Sequence, residues 1–444
     1  MIKGDIVVKS KRKLVSLSFM FVLLVGTLNV SFFSNFGIVE ATDSYPSSII
    51  LFIGDGMGLE HVKFGSLVEY GNDTFSSILN FPFNTTISTN NIDGGTTDSA
   101  ASGTAISTGV KTKNGRIAMN YNAEMDLTTI LEIAQMNGYA TGLVATCHLT
   151  HATPAAFAAH SASRNDYQNI ASDFNSSNVD VLLAGGSSTK YVGNYIDGFT
   201  TQGYTYITTE TEMDGLSSTP VLGLFDSGSL PRMQTMDENS TVPTLLEMTI
   251  KAIDLLNATS KPFFLMVEGS QIDWAGHDND EVYLAHEVIE FEKAVRYAKN
   301  LAMQETDLQV LVTADHETGG FNVESYTVET EIPYETDSYD VKQEKRTNRS
   351  QEIAVSWSSG GHTKTKVILA GIGPFSGAIL NAEHHIDTFS IMRQAVDGET
   401  EPIGEGFYDH YLPTYAWILI FLSPTIISIT LAFVFSKILR KKKS

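Results

Sequence analysis

The sequence predicts an α/β fold: a three-layer sandwich around a largely parallel central sheet. Three observations carry this. Apolar runs of strand length recur along the chain, at Ile49–Ile53, Gly142–Thr146, Val179–Ala184, Phe263–Val267, Gln309–Thr313 and Lys366–Ala370. Several are near-continuous in Val, Ile, Leu and Phe, as strands covered on both faces require. Helical stretches lie between them, for example Thr128–Met136 and Glu281–Ala302, and such alternation builds parallel sheets flanked by helices. Residues just after each strand are then the first place to look for chemistry, because ligands in these folds bind beyond the carboxyl ends of the strands.

The chain is 444 residues long, with 42% hydrophobic and 18% charged residues, a composition that excludes a disordered chain. Its formal net charge of −22 is unevenly spread. Residues 1–41 hold five basic and two acidic groups, and residues 437–444 hold five basic groups and no acid. The body between them therefore carries 19 basic against 49 acidic residues. Such a body repels nucleic acid and anionic lipid, so nucleic-acid binding is not expected. An anionic substrate would need a strong local positive centre, and metal ions are the obvious source. The single cysteine, Cys147, closes an apolar run and reads as an inert core residue.

The two ends read as membrane addresses. A basic stretch, Lys9 to Lys13, precedes an apolar run from Leu14 to Val30, and Val39-Glu40-Ala41 resembles a cleavage site; residues 1–41 are expected to be a signal peptide or an N-terminal anchor. From Ala416 to Phe435 no charge occurs, and Lys437 and Arg440 to Lys443 follow. That length spans a bilayer, and the basic tail places it as a helix over 415–436 with 437–444 cytoplasmic. The body, 42–410, would then be extracytoplasmic on a single C-terminal span. Six Asn-x-Ser/Thr triplets in the body, at Asn72, Asn84, Asn175, Asn239, Asn257 and Asn348, are weak support for export. The polar, acidic stretch from Glu324 to Ser350 reads as a surface insertion, with 320–360 forming a small crown region.

Carboxylates and histidines gather where the strands end. Gly54-Asp55-Gly56-Met57-Gly58 follows the first run. Glu268-Gly269, then Asp273 and His277, follow Phe263–Val267. Ala314-Asp315-His316-Glu317-Thr318-Gly319-Gly320 follows Gln309–Thr313, and Gly360-Gly361-His362-Thr363 precedes Lys366–Ala370. Each fragment alone has a plain structural explanation: a Gly-Asp turn, a helix cap, a surface pair four residues apart. Their joint occurrence at strand ends does not, and neutral imidazole with carboxylate is a zinc-type donor set. The segment from Gly94 to Gly103 contains Asp98-Ser99-Ala100. It reads as a helix start capped by Asp98 or Ser99, which would leave a serine at the positive end of a helix dipole.

Together these motifs, with Thr108-Gly109-Val110-Lys111-Thr112 and Ala152-Thr153-Pro154-Ala155-Ala156, resemble the alkaline phosphatase family over roughly residues 47 to 396. The resemblance implies hydrolysis of small-molecule phosphomonoesters through a phosphoserine, with two Zn2+ and one Mg2+. It implies Asp273, His277 and His362 as ligands of the first zinc. Asp55, Asp315, His316 and the Ser99 oxygen would hold the second. Asp55 with Thr153 and Glu268 would hold magnesium. Ser99 would be the nucleophile, and Arg164, in Ser163-Arg164-Asn165, the clamp on two phosphate oxygens. Two positions depart from the best-known bacterial members: His151 replaces an aspartate and Trp274 a lysine, and both bear on the third site. Other members, animal and marine bacterial ones among them, carry the histidine. Homodimers are common in the family. The rival readings are a phosphodiesterase of the same superfamily, against which Ser99 and Arg164 speak, and a catalytically silent surface protein.

Overall fold

The computed structural model describes residues 47–398. The expected export signal, membrane span and basic tail lie outside the described residues. Among the described residues no helix is long and apolar enough to cross a membrane.

Thirteen strands are formed in this region: β1 (Ser48–Gly54), β2 (Phe83–Ile87), β3 (Ala140–His148), β4 (Val181–Gly185), β5 (Thr205–Ile207), β6 (Val221–Leu224), β7 (Phe263–Gly269), β8 (Leu308–Ala314), β9 (Glu317–Thr318), β10 (Phe321–Tyr326), β11 (Ile353–Trp357), β12 (His362–Thr363) and β13 (Val367–Ile372). Nine of them make one sheet in the order β2-β13-β8-β1-β7-β3-β4-β6-β5. All neighbours pair in parallel except β13, which runs against both β8 and β2. The central strands β1, β7 and β8 are buried almost from end to end, so their sequences carry no polar alternation.

Helices cover both faces. On one side lie Ser99–Thr108, Ile130–Met136, Ala152–Ala158 and His385–Asp397; on the other lie Leu59–Tyr70, Leu245–Asn257, Gln271–Asp278 and Glu281–Ala302. The 22-residue helix Glu281–Ala302 has the bounds its sequence pattern predicts. Its Asp280 cap accepts from the Tyr283 amide, supplying a partner for one of the free N–H groups of the first turn. The helix Ser99–Thr108 is buried at all ten positions and is built of Ser, Ala, Gly, Thr and Ile. Small residues let it pack closely on Ala152–Ala158; a Cβ on Gly103 would stand 3.1 Å from the Ala156 methyl.

The stretch read as a polar surface insertion is mostly exposed or half-buried. It contains the helix Tyr339–Glu352, in which Arg346, Arg349 and Ser350 are buried. Arg346 binds both oxygens of Glu69 at 2.7 Å, and Arg349 donates to the carbonyls of Leu67 and Val68. The segment is thus stitched to the helix Leu59–Tyr70 by guanidinium hydrogen bonds, which hydropathy does not register.

Candidate metal centre and active site

The parallel register delivers acids to one edge of the sheet. Gly54 at the end of β1 is level with Gly269 on β7 and with Ala314 on β8. Asp55, Glu268 and Asp315 therefore emerge side by side, and all three are fully buried. The turn after β1 requires glycine at Gly56. Its φ is +73°, and a Cβ there would lie 2.7 Å from the Asp273 Cα and from the Thr318 hydroxyl.

Two compact donor sets result. In the first, Nε2 of His277 stands 3.2 Å from Nε2 of His362 and 3.4 Å from Asp273 Oδ2, and His362 Nε2 stands 3.4 Å from Asp273 Oδ1. In the second, His316 Nε2 lies 3.2 Å from Asp315 Oδ2, 3.6 Å from Asp55 Oδ1 and 3.5 Å from Ser99 Oγ. Four donors each about 2.0–2.1 Å from a tetrahedral ion stand roughly 3.3–3.5 Å apart, close to these edges. The three imidazoles are held in one orientation. His277 Nδ1 faces the Gly360 carbonyl at 2.8 Å, His362 Nδ1 the Thr97 carbonyl at 2.9 Å, and His316 Nδ1 the Thr318 hydroxyl at 3.2 Å. Nδ1–H donated to an oxygen leaves Nε2 free to ligate. Thr318 in turn donates to Asp273.

Beside these sets is a third group. The ligand atoms of Cys147, His151 and Glu268 lie within 4.8 Å of one another. Thr153, beside Glu268, is fully buried, and its hydroxyl makes no hydrogen bond of normal geometry among the described residues. The same holds for both Asp55 oxygens, Glu268 Oε1 and His151 Nδ1. Buried polar atoms are normally paired, so this concentration fits a cation.

The electrostatics agree. Burial, reinforced by Asp315, Asp273 and Glu268, pushes the Asp55 carboxyl well above the usual range. Burial, with Asp315 adding to it, pushes Glu268 up to about 8. Asp273 is held well below its ordinary value: burial opposes this, but hydrogen bonds from His277 and His362 prevail. His277 is pushed up to about 9 by its bond to that carboxylate. Like charges crowded in a dry site resist ionising together, and divalent cations remove that penalty.

Ser99 opens its helix at the first turn, almost wholly buried, with Asp98 as the cap. Asp98 Oδ1 accepts from the Ala101 amide at 2.9 Å. Its Oδ2 accepts from the Gly115 amide at 2.9 Å and from Arg164 Nη1 at 3.0 Å. One carboxylate thus fixes both the helix bearing Ser99 and the guanidinium beside it. Arg164 Nη2 is 3.4 Å from His151 Nε2, and the His151 ring meets Trp274 edge-on at 5.9 Å. Every site residue named from the sequence lies in this one region.

Sequence reasoning missed several supports. Asp98 was legible as a cap but not as the partner of Arg164. Ser102 donates to the Asp315 carbonyl at 2.6 Å and touches His385 Nδ1 at 3.0 Å, and nothing in its surroundings signals that. His148 stacks on Tyr191 at 3.9 Å and lies 5.4 Å from His151. Cys147 is buried in the core, as expected, and its thiol also contacts Glu268.

Fold and site define an α/β protein built to hold divalent metal beside a serine and an arginine. A family model for alkaline phosphatases matches residues 47–370. Alkaline phosphatase 4 of Bacillus subtilis is 41% identical over 290 residues, 62% of this chain and 62% of its own length; the chain thus spans under two thirds of that relative. The alkaline phosphatase of Escherichia coli is 30% identical over 80% of this chain and 87% of its own. The solved alkaline phosphatase of the Antarctic bacterium TAB5 superposes with a TM-score of 0.68 at 30% identity, covering 80% of this chain and all of that one. A variant of that protein with a histidine replaced by aspartate holds Mg in its M3 site. The chain belongs to the alkaline phosphatase family.

Proposed function

We propose that this protein hydrolyses phosphate monoesters to an alcohol and inorganic phosphate through a phosphoserine at Ser99. The observation that carries the reading is the pair of donor sets, with edges of 3.2–3.6 Å, the second of which includes the Ser99 hydroxyl. Asp273, His277 and His362 would hold one zinc ion. Asp55, Asp315, His316 and the Ser99 oxygen would hold the second, and Asp55, Thr153 and Glu268 a third divalent cation. Bound there, the cations supply Lewis-acid charge for the phosphoryl oxygens and lower the pKa of the serine hydroxyl and of a water.

The chain's own groups do the rest. Arg164, steadied by Asp98, holds two phosphoryl oxygens with its planar fork. Ser99 Oγ attacks phosphorus in line; the Oγ–P bond forms as the bond to the leaving alkoxide breaks. The first-turn amides of its helix keep a positive field at the nucleophile. Water then attacks the phosphoserine from the side the leaving group vacated, restoring Ser99 and releasing phosphate. Because the contacts go to the phosphoryl group, leaving-group specificity should be broad. The apolar runs at both ends of the sequence support a membrane-anchored body facing out of the cytoplasm, in which role it would scavenge phosphate from organic esters.

The test is p-nitrophenyl phosphate hydrolysis by the full chain in detergent with zinc and magnesium, beside Ser99→Ala. Expected are monoesterase activity abolished by chelator, a loss in Ser99→Ala of at least about a thousandfold, as for a nucleophile acting within a unit, and an acid-trapped phosphoserine in wild type only. A folded, zinc-loaded protein without monoesterase activity would overturn the reading.

A further inference from the structure

Beside the residues that would hold the third cation lies a sulfur atom, a donor that magnesium does not favour. Cys147 is the penultimate residue of β3, and Glu268 lies near the end of the adjacent β7, where Ala145 and Glu268 are level. The chain passes Cys147, turns through Thr150, and returns with His151, whose amide donates to the His148 carbonyl at 2.8 Å. This tight return brings the His151 ring over the end of the strand that carries Cys147. As a result sulfur, imidazole and carboxylate converge, their ligand atoms all within 4.8 Å of one another. Cys147 Sγ is 3.4 Å from Glu268 Oε2, while Glu268 Oε1 and Thr153 Oγ1, both in fully buried side chains, make no hydrogen bond of normal geometry among the described residues.

We propose that Cys147 is a ligand of the third cation, and that the site is a mixed sulfur, nitrogen and oxygen site selecting zinc or cobalt(II) over magnesium. The inference rests on the reading that a third cation sits among Asp55, Thr153 and Glu268. Oxygen donors alone suit magnesium, which demands near-octahedral oxygen and keeps its waters. A thiolate and an imidazole reverse that order, because soft and borderline donors favour zinc and its neighbours. Coordination replaces the S–H···O contact to Glu268 by a metal–sulfur bond, the thiol proton leaves to solvent, and no electron is transferred. The observable that tests the ligation reports on sulfur directly.

Cobalt(II) provides one, since thiolate-to-cobalt charge transfer absorbs in the near ultraviolet and nitrogen or oxygen ligation does not. The full chain in detergent is stripped with chelator, then titrated with cobalt(II) while spectra and bound metal are recorded. Expected are three cobalt ions per chain, with the charge-transfer band growing in with one of them. In Cys147→Ser the band disappears and the d–d bands of the other ions persist. With zinc supplied against an excess of magnesium, wild type keeps three zinc ions, and Cys147→Ser exchanges one for magnesium. Three bound cobalt ions without the band in wild type would overturn the proposal and leave the third site standing as an oxygen and nitrogen site. Two bound ions and no band would overturn the third site itself, and the thiolate with it. The wild-type spectrum decides between these outcomes even if the variant fails to fold.

Discussion

Arg164→Ser separates phosphate recognition from nucleophilic attack. The guanidinium side chain is 23% exposed, and Nη1 is committed to Asp98 at 3.0 Å. Two charge-assisted hydrogen bonds to a phosphoryl group are worth about 1.5–3 kcal/mol each. Partial exposure and the neighbouring carboxylate place the pair in the lower half of that range, about 3–4 kcal/mol together, or two to three decades in kcat/KM. A diester has one phosphoryl oxygen esterified, so it engages one bond fewer, and its loss should be about ten- to thirtyfold. The assay is kcat/KM for p-nitrophenyl phosphate and for bis-p-nitrophenyl phosphate on the same metal-loaded protein. The fold should survive, because Asp98 still accepts from the Ala101 and Gly115 amides. Equal losses on the two substrates would refute a role in clamping two oxygens. An unchanged monoester rate would refute any contact with the phosphoryl group.

Three further outcomes are expected. Arg346→Ala leaves Glu69 without its bidentate partner in a site where the two side chains are 5% and 14% exposed; unfolding free energy from urea titration should fall by about 3–5 kcal/mol, and a drop under about 1 kcal/mol would show the helix Tyr339–Glu352 to be weakly attached. Gly56→Ala adds left-handed strain of roughly 1–2 kcal/mol and a clash with the Asp273 backbone, so bound metal should fall. Gly138→Ala, at φ +82° with nothing within 4 Å of its Cβ, should suffer the strain alone and keep its metal; equal metal content in the two variants would count against the packing argument. His160, against the cost of its burial, is pushed up to about 9 by Glu132 and the Ala118 carbonyl. A raised folded-state value stabilises fully below the ordinary histidine range near 6.5 and ceases to as pH rises through about 9. His160→Gln should therefore lower the thermal midpoint at pH 6 and converge on wild type above pH 9, and a gap that widens with pH would reverse the assignment.

The central strands were legible because burial on both faces removes polar residues from β1, β7 and β8. The outer ones were not. Phe83–Ile87 alternates as an edge strand does, Thr205–Ile207 is three residues long, and Val221–Leu224 is interrupted by Gly223, so none carries a sustained pattern. The helix Ser99–Thr108 has no apolar stripe, since all of it is buried, and only its cap announces it. In the site, the side chains that would touch metal were legible from type and position. The carbonyls of Gly360 and Thr97 that orient two imidazoles were not, because every residue has a carbonyl and only the fold decides which one faces a ring.

The order of the motifs along the chain has a topological cause. Asp55 and Asp315-His316 follow their strands and the Glu268–Asp273 segment begins at the carboxyl end of its own, whereas Gly360-Gly361-His362-Thr363 precedes one. That exception is β13, the one strand of the nine that runs against the rest. Reversal puts the beginning of β13 at the edge where β1, β7 and β8 end. His362 can then reach Asp273 and His277, and the short pairing of β12 with β9, His362 against Thr318, locks it there. Had β13 been parallel, the residues before it would have lain at the far edge of the sheet. A strand-length run whose metal-ligand motif stands on its amino side, in a chain where the others stand on the carboxyl side, therefore marks the reversed strand from residue order alone. The same crowding that makes this edge legible makes it unstable alone: three buried acids on adjacent strands repel one another, and cations at the donor sets would turn that repulsion into the field that binds a phosphate dianion.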